Sequence, residues 1–110
     1  MTTDLCLIYT TCPDGATGEA IAEALVGGNL AACVNLVPGL TSLYQWEGQM
    51  ERATEVLLMV KTTALLYPQV QEAIRARHPY NLPEIIAVPL MQGYAPYLDW
   101  IRQTCTTTVP

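Results

Sequence analysis

The sequence predicts an α+β fold of the ferredoxin-like, split-βαβ kind, with a long projecting β-hairpin and an added C-terminal helix. Three observations carry this expectation. Apolar, strand-like runs and helix-spaced segments follow one another in the order strand, helix, strand, strand, helix, strand, helix. The two central strand-like runs are unusually long and are joined by a tight reversal. At 110 residues, the chain has the length of a single domain.

Leu5-Cys6-Leu7-Ile8-Tyr9-Thr10 is continuous and apolar, as a strand buried on both faces should be. Pro13, Asp14 and Gly15 break it. Ile21, Ala24 and Leu25 then recur at helical spacing, with Glu19 and Glu23 on other faces and Gly27-Gly28 as the stop. From about Ala31 to Trp46 the chain is β-branched, apolar and aromatic, interrupted only by Pro38-Gly39. It reads as one strand bent at that point. Glu47-Gly48-Gln49 reverses direction, and a second strand runs from about Met50 to Thr63. The first half of that strand alternates in polarity; its second half, Val56 to Val60, is apolar on both faces.

Pro68 opens a second helix carrying Val70, Ala73, Ile74 and His78, and Pro79 ends it. Glu84 to Met91 is the last strand, with Pro89 marking an edge or an end. Pro96 opens a short helix with Leu98, Ile101 and Cys105 on one stripe. Residues 106–110 read as a loose tail.

The hairpin leads to an inference about assembly. Strands of ~15 residues reach ~50 Å, whereas a domain of this size has a radius of gyration of about 13 Å. A two-stranded tip standing alone in water is marginal, and its edges invite pairing. Leu43, Tyr44, Trp46 and Met50 lie on this arm, so they are expected to meet a neighbouring copy of the chain.

Composition narrows the function. Apolar residues make up 51% and charged residues only 14%, against roughly a quarter in an average domain. That excludes intrinsic disorder and fits a surface partly covered by other subunits. Ten acids against five bases argue against nucleic acid as a partner. The longest apolar run, Val56 to Val60, is far below the ~20 residues of a membrane span. Met1-Thr2-Thr3-Asp4 lacks the pattern of a signal peptide. Cys6, Cys12, Cys33 and Cys105 form no CxxC pair and read as buried thiols in a reducing compartment. A cytoplasmic protein without membrane contact is expected.

Few residues are candidates for chemistry. His78, the one histidine, either bonds the last helix carbonyls or, beside Tyr80 and Glu84, ligates a divalent metal. Cys12 either packs at the helix entry or offers a thiolate to a soft metal. Lys61, the one lysine, either snorkels to the surface or holds an anionic ligand or Glu84. Tyr44 and Trp46 read as interface anchors rather than a ligand cage. Phosphate-binding glycine loops, GxSxG and HExxH are missing from the sequence, so no enzymatic activity is expected.

Leu30-Ala31-Ala32-Cys33-Val34-Asn35 and Pro38-Gly39-Leu40-Thr41-Ser42-Leu43-Tyr44-Gln45-Trp46-Glu47-Gly48 closely resemble the CutA family of divalent-cation tolerance proteins. The likeness continues through Leu58-Met59-Val60-Lys61-Thr62-Thr63, His78-Pro79-Tyr80, Pro83-Glu84-Ile85-Ile86 and Tyr97-Leu98-Asp99-Trp100-Ile101. The resemblance implies a ferredoxin-like subunit in a tight homotrimer whose hairpins join strands across subunits. It also implies a cytosolic, non-enzymatic role in tolerance of copper and other divalent metals. In copper-linked members a cysteine ending the first strand and a His-His pair before Pro-Tyr are associated with metal. Here those positions read Thr10 and Arg77-His78, so only His78 carries over, with Cys12 two residues from the cysteine position.

The family trimer is similar in turn to PII signalling proteins, which bind small effectors between subunits. That likeness implies an intersubunit cleft with Lys61, Tyr80, Glu84 and Trp46 among its lining. Three readings follow: a trimer binding Cu(II) or another divalent metal through His78, Cys12 and Glu84; a small-molecule sensor; or a trimer that anchors a partner. Heavy-metal chaperones of the same fold need CxxC after the first strand, but Gly15 stands three residues past Cys12.

Overall fold

A computed structural model describes residues 4–106. Its elements are β1 (Leu5–Cys12), α1 (Gly15–Gly27), β2 (Cys33–Trp46), β3 (Gln49–Thr63), α2 (Tyr67–Arg77), β4 (Ile86–Pro89) and α3 (Ala95–Thr104). One 3₁₀ turn, Ala64–Leu66, joins β3 to α2. The four strands form one sheet in the order β2-β3-β1-β4, antiparallel throughout. This is the expected α+β, split-βαβ architecture.

Boundaries differ from the sequence reading where pairing overrides local composition. β1 runs two residues further than expected, because Thr11 and Cys12 pair with Leu57 and Val56. β4 is only four residues long and pairs with β1 alone, ending at Pro89 opposite Cys6. Of the expected tail, Thr106 donates its backbone N–H to the Asn29 carbonyl, and residues 107–110 lie outside the described residues.

The Asp14 side chain caps α1 by accepting from the Thr17 N–H at 2.8 Å. The helix then packs onto the sheet so closely that Gly18 lies directly against Leu36 and Leu58. Ile8, Ile21, Leu25, Leu58, Val60, Val70 and Ile74 are fully buried between helices and sheet. Each contributes about 1.5–3 kcal/mol by leaving water.

The opposite face of the sheet is apolar too. Strand alternation and register place Leu7, Tyr9, Leu57, Met59, Ile86 and Val88 on it together. These side chains remain half-buried or exposed. An antiparallel sheet with one face in water ordinarily carries mainly polar residues there; here apolar residues predominate, with Lys61 beside Leu7 and Asn35 beside Met59.

The arm is two-stranded. β1 covers β3 only from Val56 to Thr63, so residues 49–55 of β3 pair with β2 alone. The molecule is 44 Å in its longest dimension, with a radius of gyration of 14.5 Å. At Pro38-Gly39 two residues of β2 stand opposite Val56 alone, between the pairs Val37–Leu57 and Leu40–Glu55. Gly39, at φ +78°, supplies the left-handed residue that such a bulge needs. Proline is tolerated there because the hydrogen-bond ladder is already broken. The extra residue changes parity: Tyr44 and Trp46 now stand opposite Glu51 and Gln49, on the face of the arm that carries Glu55.

Candidate functional site

A cavity of about 700 Å³ opens at the base of the arm, where β1 ends and β3 continues with β2 alone. Its walls are the arm segment Thr41–Trp46, Glu55 on β3, Thr11 on β1, and the loop carrying Tyr80 and Glu84. The volume suits a small-molecule ligand.

Glu55 and Tyr80 meet in its lining. The Tyr80 hydroxyl donates to Glu55 Oε2 at 2.9 Å, and Glu55 is only 6% exposed. Burial pushes the Tyr80 phenol up to about 12, helped by its bond to Glu55, the charge of Glu55, and the nearby Tyr44 and Cys12. Among the described residues the ion pairs are Arg75–Glu72, Arg102–Asp4 and Arg102–Asp99; none reaches Glu55. Glu84 adds a second carboxylate, and the lining contains no lysine, arginine or histidine.

His78 holds the loop in place. Pro79 forces the chain out of helix, and His78 leaves α2 in an extended conformation. Its Nε2 lies 2.7 Å from the Thr11 carbonyl, which can only accept, so the ring hydrogen sits on Nε2. Nδ1 accepts the Tyr80 backbone N–H at 3.2 Å. Both ring nitrogens are therefore used to fasten the loop to β1. The expected cap on the α2 carbonyls is not what the ring does; Arg77 instead bonds the Ala73 carbonyl.

Cys12 is the last residue of β1 and fully buried. Its thiol is pushed up to about 11 by burial, then by the charges of Asp14 and Glu55, which keeps it a thiol near neutrality. Among the described residues no group of three His, Cys, Asp or Glu side chains is arranged to hold a metal ion. Within one subunit, then, His78, Cys12 and Glu84 do not converge as a ligand set.

Lys61 stands apart from the cleft. It lies six residues from Glu55 along β3, ~20 Å at strand rise, and its Nζ meets the Tyr97 hydroxyl at 3.3 Å, 5.5 Å from the ring centre. Glu84 is not its partner. Trp46, Tyr80 and Glu84 do come together, joined by Tyr44. Glu55 escaped sequence reading because it falls in the alternating half of its strand. Its one signal is its position immediately before the apolar run at Val56. The proposed interface residues Leu43, Tyr44, Trp46 and Met50 are 45–72% exposed on the isolated subunit.

Residues 6–104 match the family described as CutA1 divalent ion tolerance protein. The divalent-cation tolerance protein CutA of Thermus thermophilus is 47% identical over 97 residues, covering 88% of this chain and 94% of that protein. Human protein CutA is likewise 47% identical over 95 residues, but this chain spans only 53% of its length. The solved Thermus thermophilus structure superposes with a TM-score of 0.91 at 45% identity, covering 93% of this chain and 99% of that one. Relatives named chloroplastic and periplasmic occur in Arabidopsis thaliana and Archaeoglobus fulgidus. Among the described residues, no helix is long and apolar enough to cross a membrane.

Proposed function

The chain belongs to the CutA1 divalent ion tolerance family, and from that premise we propose that it acts as a non-catalytic, cytoplasmic homotrimer in the response to divalent cations. The observation that carries the trimer is the apolar outer face of the sheet, Leu7, Tyr9, Leu57, Met59, Ile86 and Val88, together with Leu43 and Met50 exposed on the other face of the arm. Such a surface calls for a partner, and a long two-stranded arm reaches one. Light scattering on the purified protein should give three times the 12.0 kDa subunit mass at micromolar concentration. A folded monomer there rules the reading out.

The response to metal then rests on weak or assembled contacts. Glu84 faces the cleft, whereas His78 and Cys12 are engaged in holding the fold. Calorimetry with Cu(II) on the wild type and on His78→Ala separates these roles. Identical titrations remove His78 as a ligand.

A second reading, effector binding in the cleft, is favoured by the cavity itself, which brings Trp46, Tyr80 and Glu84 into one lining.

A further inference from the structure

We propose that the cleft at the base of the arm binds a small organic cation, an ammonium or guanidinium compound. Glu55 and Glu84 supply the counter-charge, and Tyr44, Trp46 and Tyr80 the aromatic walls. The proposal rests on the effector reading and specifies its ligand class.

Glu55 carries the inference. A buried charge is ordinarily paired, because removing it from water costs several kcal/mol that only an opposite charge and hydrogen bonds offset. Glu55 is 6% exposed, yet among the described residues its recorded partner is a single phenol, and no ion pair reaches it. The cleft that it borders holds a second carboxylate and no basic side chain. No side chain of the subunit itself supplies the missing counter-charge.

Three classes of occupant are separated by chemistry. Phosphates and nucleotides would bring negative charge to two carboxylates. A hard divalent ion seeks six or more oxygen ligands, while one oxygen of Glu55 is already engaged by Tyr80. An organic cation needs neither condition. Guanidinium and quaternary ammonium groups are weakly hydrated and gain from aromatic faces within ~6 Å, and a guanidinium or primary ammonium also donates to carboxylates directly. A cavity of about 700 Å³ leaves room for the rest of such a molecule.

The test uses Trp46 as its reporter. The chain has two tryptophans, so Trp100→Phe in the assembled protein leaves Trp46 as the single emitter. Agmatine, choline, the uncharged choline isostere 3,3-dimethyl-1-butanol, and ATP are titrated separately. Agmatine or choline should shift Trp46 emission saturably, with the alcohol at least about tenfold weaker and ATP silent. Glu55→Gln keeps an acceptor for Tyr80 while removing the charge, and should weaken cation binding about tenfold or more. Glu19→Gln, on α1, should not. Equal binding by the alcohol, or cation binding unchanged in Glu55→Gln, overturns the ligand class. Saturable binding of the alcohol or ATP alone also overturns it but leaves the effector reading standing. Silence from all four probes sinks both.

Discussion

Tyr80 donates its hydroxyl hydrogen to a buried oxygen of Glu55 across 2.9 Å, tying the loop after α2 to the strand that launches the arm. The two residues are 25 positions apart, and each depends on the other. Glu55 has no basic partner among the described residues, and Tyr80 is placed by the His78 ring that accepts its backbone N–H.

Removing that hydroxyl should cost stability at the carboxylate rather than at the ring. Tyr80→Phe leaves a buried acceptor unmet, a loss of about 2 kcal/mol, whereas Glu55→Gln preserves an acceptor and should cost less. Urea denaturation of the two variants checks the order. Tyr80→Phe matching the wild type would show that the bond contributes nothing.

The same contact makes stability depend on alkaline pH. Burial first, and Glu55 second, push the Tyr80 phenol up to about 12, against ~10 for an unfolded tyrosine. The folded chain holds this proton more tightly, so the contribution is complete below ~10 and is lost as pH rises through about 12. Ultraviolet titration near 295 nm should show one tyrosine ionising late, and the late phase should vanish in Tyr80→Phe. Persistence of that phase in the variant assigns it to another residue.

Cys12 should resist alkylation. It is fully buried, and its thiol is pushed up to about 11 by burial and then by Asp14 and Glu55. Iodoacetamide near neutral pH should label the half-buried Cys33 first and leave Cys12 unmodified until the protein unfolds. Glu-C digestion cuts between the two at Glu19 and Glu23, so peptide mass spectrometry reads the order, and early labelling of Cys12 contradicts its burial.

Sequence reading reached the architecture because each element carried its own local signal: the helix stop at Gly27-Gly28, the bend at Pro38-Gly39, the apolar run from Val56. The arm was legible for a related reason, since strand length alone exceeds what a small body can cover. The apolar outer face was legible strand by strand, in β1 and in Val56 to Val60, but its extent emerges only when β1, β3 and β4 are placed in register, so that Tyr9 stands opposite Met59 on one side and Ile86 on the other. The candidate site was half legible. Trp46, Tyr80 and Glu84 share one cleft, but Lys61 was grouped with them by analogy while six residues of strand separate it from Glu55. Glu55 itself looks solvent-facing in sequence, and its burial depends on a loop folding back from α2. The role of His78 was hidden likewise, for its acceptor is a carbonyl 67 positions away.

Thr10 offers a stabilising change. Its side chain is fully buried, and Oγ1 has no hydrogen-bond partner among the described residues. An unmet buried hydroxyl destabilises a fold, and valine fills the same shape without the polar atom. Thr10→Val should therefore raise stability by about 1 kcal/mol, seen as a higher midpoint in urea with an unchanged slope. A lower midpoint would mean that the hydroxyl has a partner after all.

The tip of the arm holds a second such site. Trp46 pairs with Gln49, leaving Glu47 and Gly48 as the two turn residues, both at positive φ, +51° and +79°. Two left-handed residues make a type I′ turn, whose twist matches that of the strands it joins. Glycine adopts this conformation freely; glutamate is strained in it, and asparagine tolerates it better. Glu47→Asn should stabilise the protein by about 0.5 kcal/mol. Gly48→Ala should destabilise it by about 1 kcal/mol. No atom lies within 4 Å of the position an alanine Cβ would occupy at residue 48. Any loss there is backbone strain rather than a clash, so thermal denaturation of this opposed pair measures the turn itself. Shifts of the same sign in both variants would rule out the type I′ account.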